Sequence, residues 1–223
     1  MAVIHHTTMQ PTKLELLAAW LPTRAWYTAA DGGPRPAKAG GFRLDDPEGE
    51  VGIEFMAVAD GTGDDAVVYL VPMTYRGAPL EGADHALIGT SEHGVLGTRW
   101  IYDGAHDPVL VGRLTALLAG RTVAQDQSLT DTPDATVDAA LAPGTDLAGA
   151  EPVRVAEGHA HTDVVVRTPG APAELTLRVR RVLRTGADTA PGAAGRLTAE
   201  WRLPDGTSAR GPYADVLAGE DTL

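Results

Sequence analysis

Two stretches of the chain repeat their apolar residues at the spacing of an α-helix. The first, residues 14–21, has an apolar residue every three or four positions. Thr12 and Glu15 have the spacing of a capping box, in which each side chain binds a backbone amide of the first turn. Pro22 cannot continue a helix. The pattern therefore predicts a helix over about residues 12–21.

The second helical stretch lies near the middle of the chain, where leucines recur at helical spacing over residues 110–118. Asp107 is a favoured N-cap, and Pro108 suits the first helical position. Gly120 stands where glycine commonly follows the end of a helix. These residues predict a second helix that begins after Asp107.

Runs of alternating or continuous apolar residues predict β-strands elsewhere. Residues 51–59 and 66–75 are the clearest runs, and the turn sequence Asp60–Asp65 between them predicts a β-hairpin. This turn has the oxygen density of a calcium loop but not the EF-hand spacing, so we interpret it as a turn. Pro72 donates no hydrogen bond and is expected only at an edge or a bulge. Further strands are predicted over residues 42–44, 95–102, 153–168, 174–183 and 196–203.

One strand of the last third has an arginine face. Leu177 and Val179 point to one side of this strand, with Arg181 as a further candidate for that side. Arg178 and Arg180 point to the other side. This alternation is typical of a strand that is buried on one face only.

The order of elements indicates an α+β protein. Residues 126–150 are rich in Ala, Asp, Thr, Pro and Gly and have little to bury, so we interpret them as a linker or a mobile loop. The resulting division is a first domain over residues 1–125 and a β-rich unit over residues 151–223.

Charge and composition restrict the classes of partner. The net charge is −12 over 223 residues, and residues 1–150 account for −11 of it (9 Lys and Arg against 20 Asp and Glu). An acidic surface repels phosphate backbones and anionic lipid headgroups, so we expect neither nucleic acid nor a membrane as partner. There is no cysteine, no signal-peptide pattern and no apolar run long enough to span a bilayer. These features favour the cytoplasm.

Three segments resemble the N-terminal cap of bacterial maltokinases. They are Leu14–Tyr27 with its Trp-Leu-Pro-Thr-Arg-Ala-Trp motif, Leu70–Leu80 with Thr-Tyr-Arg-Gly-Ala-Pro-Leu, and Trp100–Val109 with Tyr-Asp-Gly-Ala-His-Asp-Pro. Their order and spacing also agree, over about residues 11–120. The resemblance implies a curved antiparallel sheet with a few helices, loosely cystatin-like, on the N-lobe of a kinase that phosphorylates maltose with ATP. It also implies that the cap carries none of the chemistry.

The remainder of the chain departs from the kinase pattern. A kinase C-lobe should follow the cap, but the chain ends at Leu223, and no catalytic-loop Asp with a following Asn appears. No lysine follows Lys38, and the phosphate-loop candidate Glu157–Thr162 has a single glycine. Residues 151–223 are therefore either a degenerate kinase N-lobe or the completion of the cap sheet.

The resemblance and its departures lead to one main expectation. We expect a non-catalytic binding or regulatory module without cofactor, associated with a carbohydrate kinase or another α-glucan enzyme. The alternative is one part of a split or divergent ATP-dependent sugar kinase. Exposed sheet edges leave homo-oligomerisation open as well.

The candidate ligand-binding residues are polar or aromatic and lie in the three segments: Arg24, Trp26, Arg76, Asp103, His106 and Asp107. Asp103, His106 and Asp107 either perform acid–base or metal chemistry, or cap and brace the start of the second helix. The two arginines either bind a phosphate or carboxylate, or stack on a ring. Trp26 belongs with Trp20, Tyr27 and Trp100 either to a sugar-stacking platform or to the core.

Two pairs of histidines are weaker candidates. His159 and His161 would share one face of a strand with Asp163, which is either a partial metal site or a polar strand face. We assign no role to His5 and His6. No catalytic residue and no metal ligand set is expected.

Overall fold

A computed structural model describes residues 8–29, 32–171, 173–186, 190 and 192–218. It has two α-helices, α1 (Lys13–Trp20) and α2 (Pro108–Leu118), and short 3-10 turns at Leu21–Thr23, Gly63–Asp65, Asp84–Ala86 and Gly104–His106. The strands of the first part are β1 (Met9–Gln10), β2 (Ala37–Leu44), β3 (Gly52–Asp60), β4 (Val67–Arg76), β5 (Leu87–His93) and β6 (Gly97–Asp103). Those of the second part are β7 (Gln125–Asp126), β8 (Asp138–Leu141), β9 (Glu151–Glu157), β10 (His161–Arg167), β11 (Leu175–Arg180), β12 (Ala193–Arg202) and β13 (Ser208–Ala218).

Local signals in the sequence account for the helix ends. Thr12 and Glu15 form the predicted capping box, and Asp107 caps α2 with Pro108 in the first position. Pro22 does not end the first helix abruptly but lies in a 3-10 turn that continues it. Gly120 follows α2 with a positive φ of 67°. In the described part, neither helix is long and apolar enough to cross a membrane.

All strands of the described residues belong to one antiparallel sheet. Their order is β1-β5-β6-β4-β3-β2-β12-β13-β11-β10-β9, with β7 added beside β2 and β8 beside β12. The contact between the two parts is narrow, since Trp201 of β12 pairs with Gly40 of β2. The predicted fold class is confirmed as a mostly antiparallel sheet with two helices. Residues of the last third lie in this same sheet. That they form a degenerate kinase N-lobe stays a prediction.

A second backbone contact joins the two parts, because the sheet curls on itself. Leu70 of β4 donates a hydrogen bond to the carbonyl of Arg181 (2.9 Å), and Leu183 donates one to the carbonyl of Val68 (2.8 Å). The other end of β4, residues 73–76, pairs with β6. Pro72 lies between these two pairing regions, where β4 changes partner. A residue without an amide hydrogen is tolerated there.

Two hydrophobic clusters lie on opposite faces of β3 and β4. On one face, α1 and Trp26 after it pack against Met56, Val58 and Tyr69. On the other face, Phe55, Leu70 and their neighbours pack with α2 and with the inner residues of β10–β13. The larger cluster therefore includes residues from both parts of the sheet.

Several segments differ from the sequence-based prediction. Strand β5 lies in a stretch that is polar and Gly-rich, and the predicted strand 153–168 is a hairpin of β9 and β10. Residues 126–150 contain β8, and Leu147 within them is fully buried. The division into domains at residues 125 and 151 stays a prediction.

Candidate functional site

Polar side chains from both parts of the sheet meet beside the buried ring of Trp26. We call this group the junction cluster, and it consists of Arg24, Trp26, Asp103, His106, Glu157 and Arg181. Four of its members were candidates from the sequence. The fold brings them together with two residues of the last third of the chain.

The centre of the junction cluster is a buried ion pair. Arg181 and Asp103 are 0% and 1% exposed, and Nη2 of Arg181 donates to Oδ2 of Asp103 at 2.5 Å. Nε of Arg181 donates to Thr162 Oγ1 at 2.7 Å, and the guanidinium lies 5.2 Å from the ring centroid of Trp26. Among the described residues, Nη1 of Arg181 has no hydrogen-bond partner. One donor of a buried guanidinium is thus left over.

The turn after β6 places the histidine of the cluster. Asp103 accepts a hydrogen bond from the amide of Ala105 (3.2 Å), which bends the chain into the 3-10 turn that ends at His106. Nδ1 of His106 lies 3.1 Å from Nε2 of His85, and the two rings are perpendicular. Burial lowers the pKa of His106, and the nearby charge of Asp103 opposes that effect only in part. The imidazole is therefore held in its neutral form near neutral pH.

Arg24 and Glu157 form the outer rim of the cluster. Nη1 of Arg24 lies 3.5 Å from Oε1 of Glu157, a distance too long for a strong hydrogen bond. The guanidinium of Arg24 also stacks over Trp20, 4.9 Å from the ring centroid. Ring stacking is the alternative that the structure shows for Arg24, and its binding of a phosphate or carboxylate ligand stays a prediction.

Arg76 and Asp107 form a separate pair. The guanidinium of Arg76 binds both carboxylate oxygens of Asp107, each at 2.6 Å. Asp107 is fully buried and also accepts the amide of Val109 at the start of α2. Hydrogen bonding to Asp107 raises the pKa of Arg76. Of the alternatives for Asp107, the helix cap is the one that the structure shows.

Comparison with known proteins identifies a family for one segment of the chain. Residues 20–107 match the family model of the maltokinase N-terminal cap domain. The chain contains this cap domain. A comparison with curated proteins gives no match. The resemblance seen in the sequence is thereby confirmed over these residues.

The cap domain contributes only part of the junction cluster. Arg24, Trp26, Asp103 and His106 lie inside the match, whereas Glu157 and Arg181 lie beyond it. The cluster is therefore one of the places where the cap domain contacts the rest of the chain.

The aromatic residues of the cap domain lie mostly inside it. Trp20 and Trp26 are 6% and 2% exposed, and their rings meet edge to face at 5.8 Å. Tyr27 donates a hydrogen bond to Asp60 at 2.6 Å, and Trp100 is partly buried in a small cluster beside Tyr102. The core alternative describes the positions of Trp20 and Trp26. The ligand-binding role of Trp26 stays a prediction that its burial does not favour.

One arrangement in the cluster has the donor types of a metal site. One donor atom each of Asp103, His106 and Glu157 lies within 4.8 Å of the other two. His159 lies in the bend before β10 and so does not share a strand face with His161, whereas Nε2 of His161 lies 3.6 Å from Oδ2 of Asp163. Asp163 accepts hydrogen bonds from Nε and Nη2 of Arg178. His5 and His6 lie outside the described residues.

The sequence interpretation missed Glu157, Arg181 and His85 as site residues. A signal existed for Arg181, since a charged residue in phase with the apolar positions of a strand must find a buried partner. Glu157 was singled out only as the start of the phosphate-loop candidate, and no signal existed for His85. Both contacts depend on the packing of segments that are distant in the sequence.

Proposed function

We propose that this protein is a non-catalytic binding module of the cytoplasm that works with a carbohydrate kinase of α-glucan metabolism. The match to the maltokinase N-terminal cap domain over residues 20–107 carries this proposal. The resemblance to maltokinases implies a cap that lies on the N-lobe of a kinase and has no part in the chemistry. The cap domain here contacts a β-rich second part through strand pairing, a shared hydrophobic cluster and the junction cluster.

The state of the candidate acid–base residues supports a non-catalytic role. Asp107 is occupied by Arg76 and by the start of α2, and Asp103 is occupied by Arg181. Both carboxylates are almost fully buried. A general base must reach the proton that it removes. Such groups are placed to stabilise the fold.

The lysine content of the chain points the same way. The two lysines are Lys13 and Lys38, and Lys13 binds Glu54 through both carboxylate oxygens. A kinase N-lobe uses a strand lysine to bind the ATP phosphates. Strand β11, the candidate for that position, has arginines that face Asp163 and Asp215.

Two assays on purified protein test the proposal. The first measures ADP release with ATP–Mg²⁺ and maltose by the protein alone, and we expect none above background. The second measures complex formation with a maltose-phosphorylating kinase by calorimetry and light scattering, and we expect a defined complex. Light scattering of the protein alone also reports whether it forms a homodimer.

A variant separates the proposal from the enzymatic alternative. If the protein alone turns over ATP with maltose, and His106→Ala abolishes this at an unchanged melting temperature, the non-catalytic proposal is wrong. The chain would then be part of a split or divergent sugar kinase. Absence of both turnover and kinase binding would also contradict the proposal.

A further inference from the structure

We propose that Asp103, His106 and Glu157 form a binding site for a divalent transition-metal ion, Zn²⁺ in the first instance. The site lies between the cap domain and the second part of the sheet, since Glu157 is the last residue of β9. This inference does not depend on the proposed function.

The three donor atoms must move only slightly closer together to bind one ion. The three donor atoms lie within 4.8 Å of one another, whereas ligands about 2.1 Å from a tetrahedral zinc ion lie roughly 3.4 Å apart. Glu157 is the group that can move, because its side chain is 27% exposed and its contact with Arg24 is 3.5 Å long. Asp103 and His106 are held more firmly by the turn after β6.

The imidazole of His106 has one of its two nitrogens in contact with a neighbouring histidine. His85 occupies Nδ1 of His106 at 3.1 Å, so Nε2 is the nitrogen left to bind an ion. Metal-binding histidines commonly have their second nitrogen fixed by such a neighbour, which sets the tautomer and the ring orientation. His85 would act here as a positioning residue.

Arg181 provides a second observation besides the spacing of the three donors. It binds Oδ2 of Asp103, as outer groups commonly bind a ligating carboxylate. Its Nη1 is buried and has no partner among the described residues. Three protein ligands leave the fourth zinc position to a water or an anion. A donor in contact with Asp103 is suited to stabilise that fourth ligand.

The donor set and the charges select the class of metal. One nitrogen and two carboxylates suit Zn²⁺ better than Ca²⁺ or Mg²⁺, which bind through oxygen atoms. The pairs Asp103–Arg181 and Glu157–Arg24 are each neutral overall. When Glu157 moves away from Arg24, the side chains of Asp103, Arg181 and Glu157 together have a charge of −1. This charge attracts a divalent cation.

The experiment uses the full chain after treatment with EDTA. Zinc binding is measured by equilibrium dialysis with elemental analysis, and the melting temperature is measured with and without ZnCl₂. We expect one zinc ion per chain and a rise in melting temperature, because a ligand that binds the folded state stabilises it. His106→Ala and Glu157→Gln should each weaken binding by about 100-fold or more.

Two controls make the result specific. His159→Ala removes a histidine outside the site and should bind zinc as the unmodified protein does. Glu157→Gln keeps the shape of the side chain and removes only a long, partly exposed contact with Arg24, so its melting temperature without metal should change little. This variant guards against misfolding of the His106→Ala variant. The proposal is wrong if the unmodified protein binds no zinc. It is also wrong if both site variants bind zinc as well as the control does, since the ion would then lie at other histidines.

Discussion

At the residue scale, arginines neutralise the three least exposed carboxylates among the described residues. Asp103, Asp107 and Asp215 are at most 1% exposed, and each binds one or two arginines. A buried charge is costly unless it is paired and hydrogen-bonded. The planar guanidinium matches a carboxylate with two parallel donors, which lysine cannot do. The preference of the chain for arginine therefore has a structural use.

The Arg181–Asp103 pair predicts a specific pattern in a double-mutant cycle. Asp103→Leu or Arg181→Met alone leaves an unpaired buried charge and should cost about 3–5 kcal/mol of unfolding free energy. The double variant removes both charges and should be more stable than either single variant. Urea unfolding followed by circular dichroism measures all four proteins. Additive costs in the double variant would show that the two side chains do not interact.

The lowered pKa of Glu54 should make the folded protein less stable in acid. Burial raises its pKa, but the charge of Lys13 and hydrogen bonds from Lys13, Tyr75 and Gln127 outweigh burial, so the pKa lies below its ordinary value of 4.5. The stability from this lowered pKa is present above about pH 4.5 and is lost as the pH falls through the folded-state pKa.

The measurement for Glu54 compares unfolding free energies at several pH values from 7 to 3. The unmodified protein should lose more stability over this range than Glu54→Gln, which cannot titrate at this position. Equal losses in the two proteins would show that Glu54 contributes nothing to the pH dependence.

At the scale of single elements, the accuracy of the prediction depended on how local the signal was. Both helices and the β3–β4 hairpin were predicted, because caps, prolines and turn residues act over a few positions. Strand β5 was missed, since its sequence is polar and its pairing with β6 stabilises it. The β9–β10 turn was missed because strand-like residues lie on both sides of Gly158–Ala160. The whole segment was therefore interpreted as one long strand.

Strand β2 has a glycine that the pairing requires. Gly41 has φ of 122°, and a Cβ atom there would lie 2.0 Å from the carbonyl oxygen of Phe55 in β3. Gly144 also has a positive φ, of 85°, but a Cβ atom added there would meet no other atom within 4 Å. The second glycine is thus a control for backbone strain without a clash.

We expect Gly41→Ala to be clearly more destabilising than Gly144→Ala. Positive φ costs an L-residue about 1–2 kcal/mol, and the clash in β2 adds about 1–3 kcal/mol of overpacking. Chemical unfolding of both variants measures the difference. Equal costs would indicate that β2 and β3 separate easily at this point.

At the scale of the whole molecule, one sheet and one large hydrophobic cluster connect the cap domain to the last third of the chain. Leu70 of β4, Leu114 of α2 and Val179 of β11 belong to the same cluster. Domains that share a core lose it together when they unfold. The structure therefore favours a single cooperative unit.

Scanning calorimetry tests this cooperativity. We expect one unfolding transition whose calorimetric and van't Hoff enthalpies agree. We also expect a fragment of residues 8–125 to be unfolded or much less stable, because it lacks the strands that cover Phe42 and Leu70. Two separate transitions, or a stable fragment, would support the division into domains predicted from the sequence.

The sequence by itself determined the two helices, the β3–β4 hairpin, the acidic character of residues 1–150 and the relation to the maltokinase cap. Each of these depends on neighbouring residues, composition or motif spacing. The tertiary structure alone decided that the last third completes the same sheet, and that Asp103 meets an arginine 78 positions away. Long-range pairing depends on the curl of the sheet and on which buried charges must be neutralised. Neither is encoded in any short segment of the chain.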